Sequence, residues 1–143
     1  LLSLSEGRHM AITSTRSFVT NFNKTMGARR KVIAHASTAT LTVAESGSMI
    51  TTEGSSGAVV LTLPAVASST GCYYWFVNGE DQDMTIAAPA NLMVTFNDIT
   101  ATSVKFGTSS EKVGGGVFAY CDGAKWFVQL STYDGADQLV TVA

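Results

Sequence analysis

The sequence predicts an all-β protein: a single compact β-sandwich or barrel-like domain, preceded by an N-terminal arm with at most one short helix. Three observations carry this. After residue 32 the apolar residues recur with period two, in short runs broken by Gly, Asn, Asp and Pro. Serine and threonine together make up 33 of the 143 residues while only 14% are charged, so polarity rests on hydroxyls, which suit the half-buried faces of strands. A hydrophobic content of 45% gives a chain of this length one real core, and a second large domain is excluded.

The elements follow in chain order. Residues 1–9 stand outside the fold, because Glu6, Gly7, Arg8, His9 and Met10 resemble the protease-site and cloning scar of an expression vector. Residues 10–31 form the arm. Phe18, Phe22 and Met26 recur every four residues, with Ser17 placed to cap a helix and Gly27 to end it. Thr20, Asn21, Asn23 and Thr25 are poor helix formers, so the segment reads either as an arm that orders against a partner or as a core-packing helix. The arm is also basic. Residues 1–31 hold Arg8, Arg16, Lys24, Arg29, Arg30 and Lys31 against Glu6, a balance of +5, whereas residues 32–143 hold three bases against ten acids, a balance of −7. Such asymmetry marks an interaction tail.

The domain at 32–143 reads as about nine strands. Ala39, Leu41 and Val43 alternate with Thr40 and Thr42; Val59, Leu61 and Leu63 alternate with Val60 and Thr62 until Pro64 ends the strand. Further runs lie at 48–51, 84–88, 92–96, 103–106 and 138–142, with turns at Asn97–Asp98 and Asp134–Gly135. Asp122 and Gly123 predict a two-residue hairpin loop between 117–121 and 124–130, which sets Ala119 opposite Trp126, Val117 opposite Val128, Phe118 opposite Phe127 and Tyr120 opposite Lys125. Tyr73, Trp75 and Val77 alternate with Cys72, Tyr74 and Phe76, so this strand is apolar on both faces, as the hairpin is. Such strands want cover on both sides. One cover is the facing sheet; the other is the arm or a second copy of the chain. The reading favours a subunit interface formed by Tyr73, Trp75, Phe118, Tyr120 and Phe127.

Few residues suit chemistry. His35 has no partner among its neighbours, and His9 lies in the vector-like segment, so no nucleophile–histidine device is assigned. Gly54-Ser55-Ser56-Gly57 departs from the nucleophile elbow at Ala58 and reads as a loop. Gly114, Gly115 and Gly116 lack the Lys of a phosphate loop and are read as relieving backbone crowding at a strand start. Asn78, Glu80, Asp81 and Asp83 carry oxygens suited to calcium, but their spacing is not that of a twelve-residue loop site, and a solvated hairpin turn is favoured. Cys72 and Cys121 have no metal-ligand spacing and read as buried thiols. Arg29, Arg30 and Lys31 precede an acidic body that would repel phosphates, which argues against nucleic acid as the partner. For glycan binding the candidate platforms are Trp75, Trp126, Tyr73 and Tyr133, the first three placed by their strands in the core. No apolar run has the length of a membrane helix. No catalytic, cofactor or metal residue is assigned.

Several phrases together resemble small β-rich structural proteins of tailed bacteriophage particles: Leu41-Thr42-Val43-Ala44-Glu45-Ser46-Gly47, Val60-Leu61-Thr62-Leu63-Pro64, Tyr74-Trp75-Phe76-Val77-Asn78, Thr85-Ile86 and Asp122-Gly123-Ala124-Lys125-Trp126-Phe127-Val128. The resemblance covers about residues 38–130. Decoration proteins, head fibres and tail-fibre domains share the pattern, and the small size with one arm suits a capsid decoration, or cement, protein. The resemblance implies a homotrimer on the virion surface, made in the host cytoplasm, that staples the major capsid protein through its arms. Arg16, Phe18, Phe22, Lys24, Met26, Arg29, Arg30 and Lys31 would then be the docking residues, with no nucleic acid, membrane or cofactor involved. The alternative is a tail-fibre or head-fibre receptor-binding module that contacts a host glycan through loops 79–82 or 107–111.

Overall fold

A computed structural model of the chain describes residues 29–107, 112–130 and 141–143. Residues 31–143 make up one compact unit. Its described part contains twelve strands rather than about nine: β1 (Val32–Ala34), β2 (Ala39–Thr40), β3 (Met49–Thr51), β4 (Val59–Thr62), β5 (Tyr73–Val77), β6 (Met84–Ala87), β7 (Met93–Thr95), β8 (Asp98–Ala101), β9 (Ser103–Phe106), β10 (Gly116–Cys121), β11 (Trp126–Leu130) and β12 (Thr141–Val142). They form two sheets, a larger one in the order β1-β3-β5-β10-β11-β7-β8 and a smaller one in the order β12-β9-β6-β4-β2. The architecture is β-sandwich-like, and the sequence expectation of an all-β fold holds.

The pairing is mixed, and its parallel half has a simple cause. From β1 to β6 the chain alternates between the sheets, so β1, β3 and β5 lie parallel in the larger one and β2, β4 and β6 lie parallel in the smaller. Parallel neighbours need a crossover connection, usually a helix. Here a strand of the opposite sheet serves instead, which lets the winding build both walls of the core at once. Only single turns of 3-10 helix occur among the described residues, at Val43–Glu45, Val66–Ser68 and Pro89–Asn91.

Alternation decides what the core contains. On β4 and β6, Val59, Leu61, Met84 and Ile86 point inward; on β5, β10 and β11, Tyr74, Phe76, Val117, Ala119, Trp126 and Val128 meet them from the larger sheet. Burial of this set supplies the main driving force, at about 1.5–3 kcal/mol for each large side chain. Cys72 and Cys121 are both buried free thiols at the end of the β5–β10 pair, as expected. Burial is the first cause that raises the Cys121 thiol above its ordinary pKa.

Three local expectations are corrected. The run at Ala39, Leu41 and Val43 is not one strand: β2 ends at Thr40, Leu41 is buried, and Val43 enters a 3-10 turn and is 43% exposed. Glu45 draws the chain into that turn, because its carboxylate accepts hydrogen bonds from the Thr42 N–H at 2.7 Å and the Thr42 hydroxyl at 3.0 Å. The β10–β11 register differs by two residues from the expectation: Trp126 faces Cys121, Phe127 faces Tyr120 and Val128 faces Ala119. The loop is four residues, since one Asp122 carboxylate oxygen accepts both the Ala124 and the Lys125 N–H at 2.8 Å. A shift of two preserves parity, so every residue keeps its expected face. Gly114 is required for its φ of 80° and not for crowding, because a Cβ there would meet nothing.

Candidate functional site

The two outer faces of the sandwich differ in chemistry. On the smaller sheet the outward positions are Thr40, Val60, Thr62, Thr85, Ala87, Ser103, Lys105 and Thr141, a surface of hydroxyls that water solvates well. On the larger sheet the register lines up three rows. The first runs Val32, Met49, Trp75, Phe118 and Gln129; the second Ala34, Thr51 and Val77; the third Tyr73, Tyr120, Phe127 and Val94. None of these side chains is charged.

The structure brings together all five residues expected at a subunit interface. Trp75 and Phe118 lie with ring centroids 4.8 Å apart, Tyr73 and Phe118 6.1 Å, Phe118 and Tyr120 5.8 Å, and Tyr120 stacks on Phe127 at 5.2 Å with planes 15° apart. These separations fall in the range of favourable aromatic pairs. All five are half-buried and linked by these ring contacts. Trp75 and Tyr73 therefore lie on the outer face and not in the core, which corrects their placement as core residues, whereas Trp126 is fully buried. Sequence reasoning missed Val32, Met49 and Val94, because β1, β3 and β7 are only three residues long and their lateral neighbours are distant in sequence. The face also ends on an apolar hairpin that was missed: Phe96 is 52% exposed and Ile99 66% exposed, beside Val94 and Phe127.

The arm residues Arg16, Phe18, Phe22, Lys24 and Met26 lie outside the described residues. Arg29, Arg30 and Lys31 are described and exposed. The loops 79–82 and 107–111 differ in this respect: the first is described in full, the second at Gly107 only.

The other candidates have structural employment. Asn78 is buried and accepts a hydrogen bond from the Thr52 hydroxyl at 2.5 Å, while its amide donates to the carbonyls of Gln82 at 2.7 Å and Lys112 at 2.9 Å. The carboxylates beside it point to separate partners. Glu80 accepts the Gly54 N–H at 2.7 Å, Asp81 pairs with Lys112 at 2.8 Å, and Asp83 pairs with Lys105 at 2.9 Å. Among the described residues no group of three metal-type ligands converges. The Asp81 carboxylate raises the Lys112 pKa.

His35 follows β1 rather than opening a strand, and it has the partner that its neighbours in sequence did not offer: its Nε2 lies 2.8 Å from Glu45 Oε1. Burial raises the Glu45 carboxyl, but the Thr42 N–H, His35 and the Thr42 hydroxyl together outweigh it and hold the carboxyl below its ordinary value. This assembly fixes the turn at Val43–Glu45 to β1. Nearby, the buried Tyr74 phenol donates to the Thr42 carbonyl at 2.7 Å, and burial first, then Cys72, Glu45 and Cys121, push its pKa up, so it remains a neutral donor. Ser55, in the glycine-flanked loop, is buried and its N–H donates to the Thr52 carbonyl at 3.0 Å.

No family model matches the chain, and no curated protein matches it either. Among the described residues no helix is long and apolar enough to cross a membrane.

Proposed function

We propose that this protein is a non-catalytic structural component of a tailed-phage virion, a decoration protein that assembles as a homotrimer and binds the major capsid protein of the assembled head. One observation carries the reading: the outer face of the larger sheet presents three register-aligned rows without a charge, with five aromatic rings in mutual contact at its centre. Exposed apolar patches of this kind mark association surfaces, and aromatic residues dominate the cores of such interfaces. The hydroxyl-covered smaller sheet would face solvent. The resemblance of residues 38–130 to phage virion proteins supplies the particle, and the basic segment at 10–31 supplies the attachment to the shell.

The mechanism is linkage. A protein that binds only the assembled shell adds its binding free energy to that state and to none of the dissociated parts. Closed symmetry makes the three copies equivalent, so three arms on one body gain avidity by raising effective concentration. Quantitative mass spectrometry of purified particles tests the reading. Abundance comparable with the shell protein supports a lattice-covering role; a few copies per particle, or none, overturns it.

A further inference from the structure

Beside the aromatic face, where β7 leaves β11, a cavity of about 230 Å³ opens between residues 94–99 and 127–129. The two strands pair only at Met93 with Trp126 and at Val94 with Phe127, after which β7 turns back into β8 and the sheet splays. At about 30 Å³ per water, the space holds roughly seven waters, enough for one sugar ring with its hydroxyls.

We propose that this cavity is a binding subsite for a single uncharged pyranose ring. This inference goes beyond the proposed shell-binding role: the cavity borders the aromatic face and shares Val94, Phe127 and Gln129 with it, while Phe96, Asn97 and Asp98 belong to the cavity alone. The lining joins two kinds of group that a sugar requires. Phe96 and Phe127 offer ring surface for the apolar face of a pyranose, and Phe96 is half exposed at the tip of the hairpin. Asn97, Asp98 and Gln129 offer amide and carboxylate groups for hydroxyls, the few polar groups that orient a ligand in a mainly apolar pocket. Asp98 is anchored through one oxygen, which accepts the Thr100 N–H at 2.8 Å and the Thr100 hydroxyl at 3.3 Å. Asp98 is also the one charged side chain of the lining, and the neighbouring Lys125 ammonium is engaged by the Ile99 carbonyl at 2.7 Å, so the lining itself disfavours anionic sugars relative to neutral ones.

The backbone at the rim of the cavity is unusual. Phe96 has φ of 39° and Asn97 φ of 62°, left-handed backbone that a bulky side chain such as phenylalanine rarely adopts. Strain of this kind persists where a side chain must be held for a purpose.

The test is an amide NMR titration of the isotopically labelled full chain with methyl glucoside, methyl galactoside, methyl mannoside and N-acetylglucosamine, and with glucuronate and N-acetylneuraminate as anionic probes. At least one neutral sugar should shift the amides of 94–99 and 127–129 saturably, with the millimolar dissociation constant that ligand efficiency allows about a dozen heavy atoms. Glucuronate should bind about tenfold more weakly than the matching glucoside, and Gln129→Ala should weaken binding about fivefold. Phe96→Ala should abolish it while the core amides stay in place. No shift from any neutral sugar, an unchanged titration of the Phe96→Ala variant, or shifts from toluene and indole but not from sugars would overturn the proposal, the last result assigning the cavity to an apolar side chain of a protein partner.

Discussion

The indole N–H of Trp126 donates to the carbonyl oxygen of Pro64 at 2.9 Å, in a fully buried contact that joins the two sheets. Trp126 opens β11 in the larger sheet, while Pro64 lies just beyond β4 in the smaller one, where its ring has ended the ladder. The bond satisfies a carbonyl that the interrupted strand would leave unpaired inside the core.

Trp126→Phe therefore removes more than a ring. It leaves a buried acceptor without a donor, which costs about 1–3 kcal/mol, and opens space beside Tyr74, whose ring centroid lies 5.8 Å from that of Trp126. Thermal unfolding should show Tm lowered by roughly 4 °C per kcal/mol. An unchanged Tm would show that the bond does not tie the sheets.

Asn78 forms a second buried tie. Asn78→Ala strands the carbonyls of Gln82 and Lys112 and leaves the Thr52 hydroxyl with only the Gly79 N–H at 3.1 Å, so its cost should exceed that of a single lost bond, on the order of 3 kcal/mol. Urea unfolding measures it. A loss below about 1 kcal/mol would mean that water replaces the amide.

Glu45 gives the fold an acid-sensitive contact. Its native pKa lies below the unfolded value near 4.5, so the contribution is fully present above that value and is lost as pH falls through the lower native one. The urea midpoint of Glu45→Gln should lie below that of the parent at pH 7, by the equivalent of about 1 kcal/mol, and the two should converge as pH falls below 4.5. A difference that persists at pH 3 would assign the effect to the side chain's shape.

Phe96 predicts a gain of stability. Glycine adopts left-handed backbone without the steric cost that phenylalanine bears, and half of the Phe96 surface is already exposed, so Phe96→Gly should stabilise by about 1 kcal/mol. Asn97→Gly should change little, because asparagine tolerates this region. Equal effects at the two positions would contradict the assignment of strain to Phe96.

Much of this was legible in the sequence because parity survives errors of register. Period two placed Tyr73, Trp75, Phe118, Tyr120 and Phe127 on one face although the hairpin was aligned two residues away, since the Asp122 carboxylate and not the Asp-Gly dipeptide alone sets that loop. Parallel pairing was not legible: alternation tells a strand which face is buried, not which strand lies beside it. Thus Met49 gave no sign that it would sit between Val32 and Trp75, nor His35 that Glu45 would reach it. The cavity was hidden for the same reason, because it arises where β7 and β11, distant in sequence, part after two paired residues.

The central claim is that the uncharged aromatic face of the larger sheet is a contact surface between copies of this chain. Sedimentation equilibrium of the full chain, compared with Tyr120→Glu and Trp75→Glu variants whose near-ultraviolet circular dichroism confirms an intact Trp126 environment, tests it most directly. The parent should sediment as a trimer and both folded variants as monomers. A monomeric parent, or a trimer that survives a charge at both positions, would contradict it.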